Sequence, residues 1–150
     1  MANYFFDTSA LAKHYRAEQG TPEVERILRE PGSVHYISRL VAVELQSVFA
    51  LKARTQEITT QDLQQLQKHI ATDFAARRFP VVRMLQRHFQ EAERLLKKHA
   101  PSKALRTLDS LQLAVALSLN REGKIDHFVC ADDKLCKVAE DEGLSVVNPS

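Results

Sequence analysis

Two cysteines are all that this 150-residue sequence contains. Cys130 and Cys136 have neither C-x-x-C spacing nor a second Cys/His pair of the kind zinc takes, and two thiols cannot make a disulfide framework. Both are expected buried and reduced. Glycine occurs four times, always outside any phosphate-cradling loop pattern, and each glycine is expected where a helix stops. No apolar run reaches the roughly 18 residues of a membrane span. The opening MANYFFDTSA lacks the charged and long apolar regions of a signal peptide, so the expected location is the cytoplasm. Repeats, low-complexity tracts and Pro/Gly-rich linkers are missing too. Residues 1–150 therefore read as one domain.

What is present is a core and a pattern. Apolar residues make up 44% of the chain. Short apolar runs, YFF at 4–6, VHYI at 34–37, PVV at 80–82, HFVCA at 127–131 and SVV at 145–147, read as buried strands. Between them lie helical patterns near 9–18, 22–30, 39–55, 60–78, 86–99, 107–121 and 134–142. Strands separated by helices imply crossovers, hence an α/β fold with a parallel sheet covered on both faces. Ligands of such folds bind beyond the carboxyl ends of the strands.

Four acids stand where that geometry makes them conspicuous. Asp109 interrupts RTLDSLQLAVALSL, a helix apolar on nearly every side. An ionised carboxylate in such surroundings costs several kcal/mol unless something pairs with it. A plain alternative has Thr107 as the helix cap and Asp109 in the first turn, favoured by the macrodipole. Asp7 directly follows the YFF strand and Asp132 follows HFVCA; either could be an N-cap, although Asp133 is the more natural cap of the last helix. Glu44 is harder to dismiss. Its neighbours one turn away are Leu40, Val41, Ser47 and Val48, and no Lys or Arg in the adjoining turns can neutralise it.

One arrangement accounts for all four: convergence at the carboxyl edge of the sheet around a hard divalent cation. All-oxygen ligation suits Mg²⁺ or Mn²⁺, which can activate water and orient a phosphodiester. A polyanionic substrate then needs cations nearby. Net charge is only +2, yet nine of the 21 Lys and Arg lie between positions 77 and 106, against two acids, Glu91 and Glu93. Arg77, Arg78, Arg83, Arg87, Lys97, Lys98 and Lys103 are the candidate phosphate contacts to such a polyanion. Two other readings compete. Phosphoryl transfer through an aspartyl phosphate expects an aspartate two residues after Asp7, where this chain has Ser9. A catalytically silent module binding RNA or protein through the basic segment leaves the acids as caps, which a mid-helix Glu44 does not fit.

FFDTSAL, the VAVEL helix, LDSLQLAVAL, FVCADDKL and the closing VVNP together resemble the PIN-domain family, and within it the VapC-type toxins of toxin-antitoxin pairs. The resemblance spans almost the whole chain. It implies a three-layer α/β/α sandwich and a Mg²⁺- or Mn²⁺-dependent endoribonuclease cutting structured RNA. By position, Asp7, Glu44, Asp109 and Asp132 form the acidic quartet, with Ser9 as a hydroxyl that orders the site. Asp7 and Asp109 would bind the ion directly and Glu44 directly or through water; Asp132 would complete the shell or hold a second ion. Cys130 departs from the Thr or Ser often found two residues before the last aspartate; it is a poorer donor, which leaves Asp133 able to share the role of Asp132. A small antitoxin and a homodimer are the implied partners.

Overall fold

The computed structural model describes all 150 residues. Each apolar run forms a strand: β1 (Tyr4–Phe6), β2 (His35–Ser38), β3 (Val81–Val82), β4 (His127–Val129) and β5 (Val146–Val147). Seven helices connect and flank them: α1 (Thr8–Tyr15), α2 (Thr21–Leu28), α3 (Leu40–Arg54), α4 (Thr60–Ala75), α5 (Gln86–His99), α6 (Thr107–Arg121) and α7 (Asp133–Asp141). All strand pairs are parallel and their order is β3-β2-β1-β4-β5.

Two-residue alternation along β1 builds two cores. Phe5 faces one side, stacked on Phe128 with ring centroids 5.9 Å apart, and packs with Leu95 of α5, Leu113 of α6 and Leu135 of α7. Tyr4 and Phe6 face the other side among Leu11, Val24, Leu45 and Leu66 of α1 to α4. The result is the three-layer α/β/α sandwich. Each fully buried aromatic or aliphatic side chain contributes about 1.5–3 kcal/mol. Helix α6 is buried around its circumference from Ser110 to Leu117, as a sequence apolar on nearly every side requires. No helix is long and apolar enough to cross a membrane.

The glycines divide. Gly123 and Gly143 follow α6 and α7 at positive φ, and the next amides, of Lys124 and Leu144, reach back to the Leu119 and Ala139 carbonyls. These are helix stops of the Schellman type. Gly20 corrects the expectation: it begins α2 rather than ending a helix. Its φ is +93°, and a Cβ there would stand 2.2 Å from the Pro149 carbonyl oxygen, so backbone approach as well as backbone conformation demands glycine.

The strand order positions the site. The chain leaves β1 towards β2 and β3, then returns across the sheet to β4 and β5. Beyond the carboxyl ends of β1 and β4 the connections diverge, leaving the crevice where open α/β sheets bind ligands.

Candidate active site

Asp7 directly follows β1 and Asp132 stands three residues beyond the end of β4, and both line that crevice. The second turn of α3 and the first turn of α6 bring Glu44 and Asp109 to the same place. All four acids and Ser9 line one cleft of about 470 Å³. No three of the four acids bring carboxylate oxygens within 4.8 Å of one another; they ring the cleft. Its one cationic lining residue is Arg106.

Asp7 is almost wholly buried and has two functions in the chain. As N-cap of α1 it accepts the Ala10 amide at 3.1 Å. The Ser9 hydroxyl also lies 2.7 and 2.9 Å from its two oxygens, and the Cys130 thiol 3.6 Å from Oδ2. Ser9 Oγ is itself fixed by the Ala131 amide at 3.0 Å, tying the ends of β1 and β4 together. Burial pushes the Asp7 carboxyl up to about 7 despite these donors, and the charge of Asp109 adds to the push. Removing a carboxylate from water costs more than three weak donors return. The Cys130 thiol is itself raised, by the hydrogen bond with Cys136 and by burial, so it stays protonated.

Asp132, not Asp133, caps α7: its Oδ1 accepts the Lys134 and Leu135 amides at 2.9 and 3.2 Å. Two free amides in helical position outcompete the alternative. Asp133 is the first helical residue, accepts Asn148 Nδ2 at 2.8 Å and lies outside the cleft lining. Capping thus uses one oxygen of Asp132 and leaves Oδ2 facing the cleft.

The expected cap of α6 is also corrected. Arg106 occupies the N-cap position without a side-chain capping bond, and Thr107 is the first helical residue. Asp109 instead receives Arg106 Nε at 3.0 Å, while the same guanidinium reaches Asp132 Oδ2 at 3.5 Å. Arg106 had no signal in the sequence beyond its place at the end of a basic run.

Glu44 lies half-buried, with its Oε1 accepting Thr8 Oγ at 2.9 Å and Gln112 Nε2 at 2.7 Å. Gln112 in turn takes the Ser38 hydroxyl at 2.8 Å on its own carbonyl oxygen, and Ser38 Oγ accepts the Leu40 amide at 3.2 Å. This chain of bonds links β2, α1, α3 and α6, and its members Thr8, Ser38 and Gln112 are buried. Gln112 was legible as the one long polar side chain of LDSLQLAVAL, one turn beyond Asp109. Gln112→Leu, close in volume, is expected to destabilise the protein by about 1–3 kcal/mol because Ser38 loses its buried partner. Glu44 would also lose its orientation. Denaturant melts check the loss of stability; a variant of unchanged stability would remove Gln112 from the network.

The seven basic candidates are not brought together. None lines the cleft. Arg77 and Arg78 precede β3 and so stand at the opposite, amino end of the sheet, where Arg78 contacts Asp73 and His14. Arg87 pairs with Glu122, Lys98 with Glu142 and Lys103 with Asp141. Arg83 and Lys97 enter no ion pair. Arg83 directly follows β3, and Arg39, which the linear charge run does not include, directly follows β2; both are exposed at the carboxyl edge.

Several solved structures share this fold across nearly their whole length. VapC20 of Mycobacterium tuberculosis, a toxin described as cleaving the sarcin-ricin loop, aligns with a TM-score of 0.68 at 18% identity, over 97% of this chain and 99% of that one. VapBC2 of Rickettsia felis, bound to a fragment of promoter DNA, aligns at 0.67 and 15% identity, over 97% and 98%. A toxin-antitoxin complex of Klebsiella pneumoniae aligns at 0.63 and 17% identity, over 98% of both. No curated protein matches the chain by sequence. The model of the PIN domain matches residues 4–141. A match of that extent, on a fold whose strand reversal gathers four acids at one cleft, makes the chain a member of the PIN-domain family.

Proposed function

We propose that the chain is a Mg²⁺- or Mn²⁺-dependent endoribonuclease, the toxin of a cytoplasmic toxin-antitoxin pair, that hydrolyses phosphodiester bonds in structured RNA. The observation that carries the reading is the cleft itself: four carboxylates, one of them buried and fixed by three hydrogen-bond donors, facing a single guanidinium. Such a donor set is all oxygen and short of positive charge, which fits a hard divalent ion. Asp7 and Asp109 would hold it directly, with Glu44 and Asp132 completing the ring directly or through water. When bound, the ion supplies Lewis acidity to make a water nucleophilic and to offset charge developing at the scissile phosphate.

The chain's own residues set the geometry. Ser9 and the Ala10 amide fix the orientation of Asp7, Gln112 and Thr8 fix Glu44, and the amides of α7 fix Asp132. Arg106 balances Asp109 and Asp132 in the free protein. Because its side chain is 75% exposed, it can turn outward to a substrate phosphate once those acids are otherwise engaged. Arg39 and Arg83 extend positive charge along the carboxyl edge, with Arg83 two strands, about 10 Å, from Asp7. Structured RNA is the substrate by analogy with the loop-cleaving relative. An antitoxin is the partner by analogy with the toxin-antitoxin complexes of the same fold, and the homodimer rests on the family resemblance.

The test is cleavage of a structured RNA by the purified chain with Mn²⁺ or Mg²⁺. Products with 5′-phosphate and 3′-hydroxyl ends are expected, no cleavage in EDTA, and weaker binding with a shallower salt dependence in Arg83→Glu. Chelator-resistant cleavage yielding 2′,3′-cyclic phosphates would overturn the reading, since that chemistry attacks with the RNA 2′-hydroxyl.

A further inference from the structure

A second cluster of metal-binding side chains lies away from the cleft, at the far end of α1. His14 comes from the last turn of that helix, and His69 and Asp73 stand one turn apart on α4. Their ligand atoms, the two imidazole nitrogens and an Asp73 oxygen, all fall within 4.8 Å of one another. His69 Nε2 is 3.5 Å and His14 Nε2 3.9 Å from Asp73 Oδ2. We propose that this is a nitrogen-rich site for a borderline divalent cation, Zn²⁺ foremost, separate from the oxygen-only cleft.

The surroundings are those of a ligand set rather than of a chance group of surface residues. His14 is nearly buried, 8% exposed, and its Nδ1 is in contact with Glu25 of α2. That contact places the ring proton on Nδ1 and turns the Nε2 lone pair towards His69 and Asp73. A carboxylate behind a histidine in this way orients metal-bound imidazoles and raises their basicity. Asp73 is similarly held, its Oδ2 accepting the Tyr15 hydroxyl at 2.8 Å. The lone pair of His14 now meets Arg78 NH1 at 2.8 Å, and the same atom lies 3.3 Å from Asp73. A cation therefore already sits at the focus of the donors. Arg78 belongs to the segment between α4 and β3 and is 37% exposed, so its guanidinium can leave into solvent as a metal ion enters. Two imidazoles and one carboxylate with water in the fourth position suit Zn²⁺; Mg²⁺, which prefers oxygen, is selected against.

The site would clasp α1 to α4 at the end of α1 opposite Asp7, about 10 Å along the helix from that N-cap residue. Isothermal titration of the chelator-treated full chain with ZnCl₂, without RNA, tests the proposal. Wild type and Asp109→Asn are expected to bind one tight equivalent. His69→Ala, whose side chain is 48% exposed and whose loss the fold tolerates, is expected to weaken it more than a hundredfold. Glu25→Gln should weaken it by about 10- to 100-fold, and Arg78→Met should tighten it by removing the competing cation. X-ray absorption at the zinc edge should show nitrogen and oxygen ligands near 2.0–2.1 Å. Absence of tight binding in wild type overturns the proposal. So does tight binding that survives His69→Ala, and so does binding that disappears in Asp109→Asn, which would put the zinc in the catalytic cleft.

Discussion

Asp7→Asn is expected to lower metal-dependent RNA cleavage about a thousandfold or more, and to remove a pH-dependent weakness from the metal-free fold. The loss of rate follows from the proposed role: ion-based stabilisation of phosphoryl charge is worth several kcal/mol, and about 4 kcal/mol is a factor of a thousand. Asparagine preserves the α1 cap, because its Oδ1 can still accept the Ala10 amide. A large fall in rate therefore cannot be assigned to an unravelled helix. A variant that cleaves within tenfold of wild type would take Asp7 out of the chemistry.

The stability effect has a definite sign. Asp7 has an ordinary pKa of 3.8 in the unfolded chain and about 7 in the folded one, so the folded state binds the extra proton. Its contribution is intact below the unfolded value and is lost as pH rises between about 4 and 7. The full shift is about three units, on the order of 4 kcal/mol. Other groups overlap this window. His35 and His88 are held neutral by burial and act in the opposite direction, becoming destabilising as they protonate below their ordinary range. The informative quantity is therefore the difference between wild type and Asp7→Asn in EDTA. The variant should gain on wild type as pH rises from 4 to 7, less what Asn loses by presenting an amide to the Ser9 and Cys130 donors. Melts at several pH values that show a constant difference would place the raised pKa elsewhere.

Much of this architecture is legible in one dimension because the physics is local. A helix apolar on nearly every side, such as α6, has to be central, and α5 ends at His99 where its amphipathic pattern ends. Strand positions follow from apolar runs, with errors where polarity and pairing part company. Ser38 belongs to β2 because its backbone pairs with Val82, although a serine does not extend an apolar run. Cys130 and Ala131 extend the run after β4 ends at Val129. The four acids were visible for the same reason, as charges in apolar ground. What closes the site was not visible. Arg106 and Arg39 resemble ordinary solvated residues until strand order brings them to the carboxyl edge. Arg77 and Arg78 look close to the acids only because a linear charge run has no ends in space.

Mn²⁺ is expected to stabilise wild type by about 2.7 kcal/mol at a hundredfold excess over its dissociation constant, and to add far less to Asp109→Asn. Mass action supplies the first half, since an ion that binds the folded cleft and not the unfolded chain shifts the equilibrium by its saturation. The second half depends on Asp109 being a direct ligand. In the free protein that residue is held by Arg106, an ion pair with one well-exposed partner and so worth at most about 1 kcal/mol. Arg106 can keep Asp132 when Asp109 becomes an amide. The metal-free variant should then sit within about 1 kcal/mol of wild type, because a lost surface pair and a weaker interaction with the α6 dipole are offset by relief of repulsion with Asp7. If Asp109 were only a first-turn acid, Mn²⁺ would shift neither protein, and the variant would be modestly less stable in chelator. Thermal melts of both proteins, in EDTA and in Mn²⁺, distinguish these outcomes. Equal Mn²⁺ shifts in the two would show an ion bound without Asp109, and that result would reduce the proposed ligand set to the remaining three acids.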